Sequence, residues 1–231
     1  MKCFSDLSIV IPVGPNDCSW QNLLNELLPF GDEVEIIISA CQSQPARFKF
    51  ANNVKWLQSN QGRAVQQNGG AELGTRKIIW FLHADSQLSE GIVNIVRQFI
   101  GTSTYDVGYF RLQFADDGPN QTQMNAWAAN IRSRYFGLPF GDQGFIMAKD
   151  IFNRMDGFDQ AVLVGEDLDF VVRLKGKGIN LQELPGNLTT SSRRYQQSGW
   201  LLTTIRHIWL TCLLTRQAKQ RLATQLGKVE K

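Results

Sequence analysis

A carboxylate stands directly after an apolar run in the first half of the chain. Residues 78–82 are all apolar, and His83, Ala84 and Asp85 follow them. Such a run predicts a buried strand, and in open α/β sheets ligands bind beyond the carboxyl ends of the strands. Asp85 therefore offers a hard oxygen ligand to a divalent cation, Mn²⁺ or Mg²⁺, that bridges nucleotide phosphates. His83, on the same side of an extended chain, can ligate the cation or donate a hydrogen bond.

A second acidic pair, Glu166-Asp167, begins a segment with helical apolar spacing at about 167–175. A carboxylate in this place can act as a general base that deprotonates an acceptor hydroxyl during its attack on an anomeric carbon. Helix capping is the alternative for both motifs, because acidic residues favour helix N-termini and Asp85 or Ser86 can cap a helix near residue 90. Each motif alone leaves this choice open. Together, a metal carboxylate and a base carboxylate suit transfer from a nucleotide-sugar.

Two further motifs contain paired glycines or arginines. Gly69-Gly70 lies in a segment expected to be helical, at 62–73, although each glycine weakens a helix by about 1 kcal/mol relative to alanine. Close approach of a ligand or of neighbouring backbone explains the pair, and a frayed helix is the alternative. Arg63, at the start of this segment, then lies near nucleotide phosphates. Arg193-Arg194, beside Tyr195, can hold a pyrophosphate, and a solvated basic turn is the alternative.

The elements that must position these residues alternate between strand and helix. Strand patterns occur at 7–13, 34–39, 54–57 and 78–82. Amphipathic helical patterns occur at about 20–28, 62–73 and 92–100. This alternation predicts a parallel sheet covered by helices. The second half is less regular, with a strand pattern at 110–114, a helix at 124–135, a short strand at 145–147 and the helix at 167–175.

The composition is that of an ordinary globular protein. The 231 residues are 43% hydrophobic and 19% charged, with a net charge of +3. This charge is small and forms no long basic tract, so nucleic acid is not an expected partner. The four cysteines are scattered and form no C-x-x-C pair, which indicates a reducing cytoplasm. No signal-peptide pattern, internal repeat or linker is present, so a single cytoplasmic α/β domain over residues 1–231 is expected, with a mostly parallel central sheet flanked by helices.

The C-terminal segment predicts an amphipathic helix at about 198–216. Residues 200–214 are mostly apolar but include Arg206 and His207, and further basic residues follow. An interfacial helix on anionic lipid has this pattern. A helix that packs on its own domain or on a second subunit has it too. Peripheral contact with the inner face of the membrane is therefore one of three open expectations.

In order and spacing, these segments resemble the family-2 glycosyltransferases of GT-A fold. More narrowly, they resemble a compact bacterial subgroup associated with radical-SAM and selenium-related gene clusters. The resemblance covers about residues 7–205. The matching stretches are the strand at 8–13, the Gly-Arg-Ala-x-Gln-x-Asn-x-Gly-Ala motif at 62–71, the Phe-Leu-His-Ala-Asp motif at 81–85, and residues 110–114, 130–134, 137–143, 157–158, 166–167 and 189–194.

The resemblance implies a metal-dependent, inverting glycosyltransferase that uses a nucleotide-sugar donor and an acceptor of unknown identity. Asp85 takes the metal-binding place of the family's Asp-x-Asp-type motif, with His83 in its first position. Asp167 takes the place of the catalytic base, with Glu166 beside it. The other implied contacts are Asp142 and Gln143 for the sugar or acceptor, and Pro12, Arg63, Asn68, His83, Arg193 and Arg194 for the donor nucleotide.

The chain departs from the family pattern in the nucleotide-binding half. The second strand usually ends in a turn whose Asp contacts the base, whereas residues 39–42 are Ser-Ala-Cys-Gln. After the first strand an Asn-Glu pair is usual, whereas residues 14–17 are Gly-Pro-Asn-Asp. A degenerate GT-A module that binds a nucleotide or partner without catalysis is therefore a second hypothesis. A sugar nucleotidyltransferase is a third, although residues 14–17 lack the Gly-rich basic loop of those enzymes.

Overall fold

The first half of the chain forms the parallel part of the sheet. This computed structural model describes residues 4–102, 106–193, 195 and 199–229, with side chains to residue 224. Its first strands are β1 (Leu7–Val13), β2 (Glu35–Ala40), β3 (Val54–Gln58) and β4 (Ile78–Phe81). They pair in the order β3-β2-β1-β4, and every pair is parallel. β1, β2 and β4 are buried throughout, as expected where helices cover both faces. The helices of the first half are α1 (Trp20–Leu27), α2 (Arg63–Leu73) and α3 (Ile92–Thr102).

The second half extends the sheet with mixed pairings. β7 (Phe145–Ala148) lies between β4 and β6 (Val107–Phe114) and is antiparallel to both. β8 (Leu181–Thr190) is parallel to β6, and β5 (Gln87–Leu88) is antiparallel to β8. The order over the described residues is β3-β2-β1-β4-β7-β6-β8-β5. Further helices are α4 (Thr122–Phe136), α5 (Lys149–Arg154), α6 (Glu166–Gly176) and α7 (Trp200–Val229), with 3-10 turns at Phe4–Asp6, Leu28–Phe30 and Gly141–Gln143.

Apolar side chains fill the space on both faces of the sheet. Adjacent residues of β4 alternate between the faces, so Trp80 joins the core under α1 and α3 while Phe81 joins the core under α2, α5 and α6. Phe81 lies 5.0 Å from Phe152 and 5.2 Å from Phe158 between ring centroids. A smaller cluster lies beneath α4, next to the end of β6. The parallel strands are thus held firmly on both faces, which fixes where their carboxyl ends point.

The paired glycines of α2 allow this helix to pack tightly on the sheet. A Cβ at Gly70 would lie 2.4 Å from Val10 Cγ1 of β1, and one at Gly69 would lie 3.2 Å from Leu57 Cδ2 of β3. The first distance is too short for any side chain larger than hydrogen. The close approach predicted from the sequence therefore exists, but it is made by strand side chains.

The predicted fold class is confirmed: an α/β domain with a mostly parallel sheet flanked by helices. The sequence pattern does not predict β8, because Pro185 and Gly186 interrupt it. A register shift between the Tyr109–Glu183 and Arg111–Asn187 pairs accommodates both residues in the strand, as β-bulges do. α7 also runs to Val229, beyond its expected end at about residue 216. Among the described helices, none combines the length and apolarity needed to span a bilayer.

Candidate active site

Three of the predicted site residues, Arg63, His83 and Glu166, meet beyond the carboxyl end of β4. There the strand order reverses, since β1 is followed by β2 on one side and has β4 on the other. Arg63 at the start of α2 donates from Nε to Glu166 Oε1 at the start of α6. Arg63 Nη1 also lies 3.4 Å from Nε2 of His83, which follows β4. Three elements distant in sequence therefore converge on one cluster of polar and charged groups.

Asp167 is held in place by two backbone N–H groups. Its Oδ2 accepts a hydrogen bond from Gly141 N at 2.7 Å, and its Oδ1 accepts one from Leu168 N at 2.8 Å. The residue is 8% exposed. A Cβ at Gly141 would lie 3.1 Å from Asp167 Oδ2 and 3.2 Å from His83 Nε2. The absence of a side chain at Gly141 thus lets the 3-10 turn lie against both polar groups.

Glu166 is a buried counter-ion, whereas Arg63 is partly exposed. Burial is the main effect that raises the pKa of Glu166, and the charge of Asp167 raises it further, although Arg63 opposes both. Burial lowers the pKa of Arg63, but Asp167 and Glu166 outweigh it, so the net shift is upward. Arg63 is therefore a fixed cation. Its position beside His83 suits a phosphate group.

Asp142, in the 3-10 turn, is an acid with an unusual environment. Its Oδ1 is buried and has no hydrogen-bond partner among the described residues. Burial raises the pKa of Asp142 to about 6; Arg132 opposes this shift, and Asp167 adds to it. Arg132 lies 3.6 Å above the Phe140 ring. No role for Arg132 was predicted from the sequence, although this residue falls in the matching stretch 130–134. In the structure it is the main countercharge of Asp142.

Asp85 is hydrogen-bonded to the end of β8 and does not cap α3. Its Oδ2 accepts from Thr190 Oγ1 at 2.9 Å and from Ser191 N at 3.4 Å. α3 begins only at Ile92. The helix-capping alternative for Asp85 is therefore excluded. For Glu166 and Asp167 the helix-capping alternative is not excluded, because both acids lie in the first turn of α6, where negative charge is favourable.

Asp85 is a candidate ligand for a divalent cation. No group of three or more His, Cys, Asp or Glu side chains among the described residues is arranged as a complete metal site. However, Mg²⁺ is commonly held by one or two carboxylates, with substrate phosphates and water completing its shell. Asp85 supplies one such carboxylate. The negative charge of Asp85 also helps to raise the pKa of Asp142. Oδ1 of Asp142 has no hydrogen-bond partner among the described residues.

Several predicted contact residues are fully engaged by protein groups. Gln143 is completely buried; its Oε1 accepts from Ser133 Oγ at 2.6 Å and its Nε2 donates to Phe110 O at 3.0 Å. Both amide atoms of Asn68 bond to the backbone of Phe158. Pro12 lies buried within β1. These residues therefore shape the site through their contacts with the protein. Of Asp142 and Gln143, only Asp142 is partly exposed.

The predicted basic turn lies next to Asp85. Arg193 is exposed; its Nε donates to Ser191 Oγ at 2.9 Å and lies 3.5 Å from Asp117 Oδ2. Burial would raise the pKa of Asp117, but hydrogen bonds from Ser191 and Ser192 and the charge of Arg193 give a net lowering. Asp117, for which no role was predicted from the sequence, therefore anchors this turn. Arg194 lies outside the described residues.

The ends of β1 and β2 are tied together by the side chain of Gln66. Buried Gln66 of α2 donates from Nε2 to Val13 O at 2.6 Å and to Ser39 O at 2.9 Å. Gln42 Oε1 accepts from Asn16 N at 3.2 Å. The two loops that depart from the family pattern are thus joined by polar contacts. No carboxylate occupies residues 39–42.

Solved structures of S. aureus TarS share this fold. TarS 1–349 in complex with UDP-GlcNAc gives a TM-score of 0.62 at 17% identity, covering 96% of this chain and 71% of that one. The complex with UDP gives 0.59 at 16% identity, covering 80% and 61%. TarS 1–349 alone gives 0.57 at 14% identity, covering 81% of this chain, which spans 58% of that structure. Comparisons with protein-family models and with curated proteins gave no match. At these identities the similarity establishes the fold.

Proposed function

We propose that the protein is a glycosyltransferase that moves a sugar, with inversion, from a nucleotide-sugar donor to an acceptor hydroxyl. The observation that carries this proposal is the position of Asp167 beside the Arg63–His83 contact at the carboxyl edge of the sheet. Asp167 is a candidate base, and the Arg63–His83 contact is a candidate phosphate site. The TarS complexes with UDP and UDP-GlcNAc add support, because they show such ligands on the same fold.

In this mechanism Asp167 removes the proton from the acceptor hydroxyl. The oxygen then forms a bond to the anomeric carbon, while the bond from that carbon to the diphosphate breaks and the diphosphate keeps the electron pair. A carboxylate oxygen has more than one lone pair, so Asp167 can accept this proton while it retains its bonds to Gly141 N and Leu168 N. Attack from the side opposite the leaving group inverts the configuration.

The developing charge on the diphosphate is met by cationic groups. Arg63 is a permanent cation at the start of α2, and Arg193 is an exposed cation on the turn that holds Asp85. Asp85 would hold Mn²⁺ or Mg²⁺, and such a cation neutralises charge on phosphate oxygens. His83, in contact with Arg63, borders the same space.

A thermal-shift panel of nucleoside diphosphates and nucleotide-sugars, with and without Mn²⁺, tests the proposal. UDP and UDP-GlcNAc are the first probes. A ligand at a hundred times its dissociation constant stabilises the folded state by about 2.7 kcal/mol, which raises the melting temperature by several degrees at this size. We expect one nucleotide to give a metal-dependent shift that Asp85→Ala abolishes. No shift with any member of the panel would contradict the proposal.

The missing carboxylate at residues 39–42 favours one alternative, a degenerate module that binds a nucleotide without catalysis. The two hypotheses differ in turnover. A transferase slowly releases nucleoside diphosphate from its bound donor even with water as the acceptor. Release that Asp167→Asn removes supports the transferase, whereas binding without any release supports the degenerate module.

A further inference from the structure

Helices α4 and α7 make contact where α7 begins and border one groove farther along. Asn125 of α4 donates from Nδ2 to Thr204 Oγ1 of α7 at 2.9 Å, and it accepts from Trp200 Nε1 at 3.3 Å. Farther along, an open groove of about 700 Å³ separates the helices, with Phe136 on one side and Thr215 on the other. The two helices are therefore neighbours from the start of α7 to its middle.

The outward face of α4 is apolar. Its buried positions are Thr122, Ala126, Ala129 and Ser133, which recur at helical spacing and face the protein. The large apolar side chains on the other side of this helix are exposed, and Trp127 is 68% exposed. Because they lie on the side of the helix opposite its buried positions, these exposed residues point away from the core. They are Met124, Trp127 and Tyr135, with Phe136 at the edge of the groove.

The outward face of α7 is apolar in the same way. Thr203 and Ala218 are buried, and Leu214 lies against Gly165. The exposed side carries a dense apolar stripe over the first turns of the helix, consisting of Leu201, Leu202, Ile205, Ile208 and Trp209. Each helix thus has one side against the core, one side toward the contact or groove that it shares with the other helix, and an apolar side toward solvent. The two apolar sides therefore face in the same direction.

This surface gathers most of the exposed large apolar side chains. Nine of the thirteen found among the described residues belong to α4 or α7. Exposed apolar residues are normal when scattered, but a contiguous patch on a soluble domain marks an interaction surface. Two of the nine are tryptophans and one is a tyrosine, the residue types that concentrate where a bilayer meets water.

The charge of the surface selects the partner. Residues 122–136 and 200–229 contain no Asp or Glu, while α7 carries the exposed cations Arg206, Arg216 and Lys219. Arg221 of α7 instead lies 3.8 Å from the buried carboxylate of Asp169. Arg206 is exposed between Leu202 and Trp209 of the apolar stripe. A second copy docked face to face would place these cations against like charges, with no carboxylate on either helix to balance them. An anionic lipid surface supplies the opposite charge and accepts the apolar side chains.

We propose that the α4–α7 surface docks peripherally on an anionic phospholipid bilayer. The apolar stripes enter the boundary between headgroups and acyl chains, and the basic residues of α7 contact the headgroups. The helices lie along the membrane plane and do not span it. This inference does not depend on the proposed catalytic activity, because binding requires neither nucleotide nor acceptor.

Vesicle flotation tests the proposal with the full chain and no nucleotide. The probes are vesicles of phosphatidylcholine alone and vesicles in which about a third is phosphatidylglycerol. We expect binding to the anionic vesicles, little binding to the neutral ones, and weaker binding as salt increases. The double variant Trp127→Ser/Trp209→Ser should lower the partition coefficient about tenfold or more. Arg206→Glu should lower it on anionic vesicles only.

Matched controls separate docking from general stickiness or misfolding. Leu28→Ser removes a similarly exposed apolar residue, 72% exposed, in the 3-10 turn that follows α1. Arg47→Glu reverses an exposed cation in the loop between β2 and β3, at the opposite edge of the sheet. Both should bind vesicles as the wild type does, and all variants should keep the wild-type circular dichroism. Equal binding to neutral and anionic vesicles, no binding at all, or a concentration-dependent dimer that Trp209→Ser dissociates would each overturn the proposal.

Discussion

Arg63 and Glu166 are 103 positions apart in the chain and form an ion pair that joins the start of α2 to the start of α6. The side chain of Glu166 is 3% exposed, whereas that of Arg63 is 43% exposed. The pair therefore presents its cation, and not its anion, to the space beside His83. Glu166 is thus a positioning residue for Arg63, and the neighbouring carboxylate of Asp167 is the candidate base.

Asp167→Asn should lower kcat by about 10²- to 10⁴-fold, because an amide cannot accept the acceptor proton. The dissociation constant for donor nucleotide should change little, since Asp167 forms hydrogen bonds with Gly141 N and Leu168 N, whereas the hydrogen-bonded carboxylate partner of Arg63 is Glu166. Steady-state transfer assays and calorimetric titration with UDP measure the two quantities separately.

The adjacent isosteric variant Glu166→Gln is the matched control for Asp167→Asn. Loss of its countercharge should leave Arg63 less well placed, so nucleotide affinity should fall about tenfold while kcat falls far less than in Asp167→Asn. The reverse pattern, with Glu166→Gln inactive and Asp167→Asn near normal, would show that the roles are exchanged.

Gly141→Ala should impair catalysis more than folding. The new Cβ would lie 3.1 Å from Asp167 Oδ2 and 3.2 Å from His83 Nε2, so one or both groups must shift by a few tenths of an ångström. Small displacements of reacting groups are costly in rate, and we expect kcat to fall about tenfold. Differential scanning fluorimetry should show only a small change in Tm. Gly101→Ala, in α3 with nothing within 4 Å of its Cβ, is the control and should keep full activity; equal activity of the two variants would contradict the prediction.

The sequence could predict the position of Asp85, Arg63 and Asp167 because each lies at a boundary between elements. A strand end is visible where an apolar run stops, and a helix start is visible where acidic or glycine residues precede apolar spacing. In a parallel sheet these boundaries fall on one edge, so their meeting follows from the fold class. The contact of Arg63 with Glu166 and His83 is the result of that geometry.

The partners of these groups could not be predicted in the same way. Thr190 reaches Asp85 only because β8 continues through Pro185 and Gly186, a local sequence that favours a turn over a strand. Arg132 opposes the raised pKa of Asp142 because α4 lies next to the 3-10 turn, which no local pattern encodes. Long-range packing decides both contacts.

Asp142→Asn should stabilise the protein at neutral pH. Burial raises the pKa of Asp142 from 3.8 to about 6 in the folded state. The folded state therefore binds this proton more tightly, and the stability of the wild type falls as pH rises from about 4 to about 6. The asparagine variant avoids this loss. Its gain in the free energy of unfolding should reach at most about 3 kcal/mol above pH 6 and vanish below pH 4.

Urea unfolding at pH 4, 5, 6 and 7.5 measures the difference between Asp142→Asn and the wild type. Asp116→Asn, an exposed acid in the loop before α4, is the control and should show little change at any pH. A gain for Asp142→Asn that does not vary with pH would mean that ionisation of Asp142 is not its cause.

Glu35→Gln should destabilise the protein at neutral pH, in the opposite sense to Asp142→Asn. Glu35 is buried at the start of β2 and accepts hydrogen bonds from Ser8 Oγ at 2.5 Å, Lys55 Nζ at 2.7 Å and Thr75 N at 2.7 Å. Burial would raise its pKa, but the bonds to Lys55, Ser8 and Thr75 outweigh it and lower the pKa from 4.5 to about 2. The carboxylate therefore joins β1, β3 and the segment after α2.

A depressed pKa makes the contribution of Glu35 to stability dependent on pH. The contribution is complete above about pH 4.5 and is lost as pH falls through about 2. Glu35→Gln should therefore lower the free energy of unfolding by about 3 kcal/mol at pH 7, and the difference from the wild type should shrink as pH falls toward 2. Urea unfolding across this range measures it, with the exposed Glu72→Gln of α2 as control. A deficit of the same size at pH 2 and pH 7 would show that the lost bonds matter through geometry and not through charge.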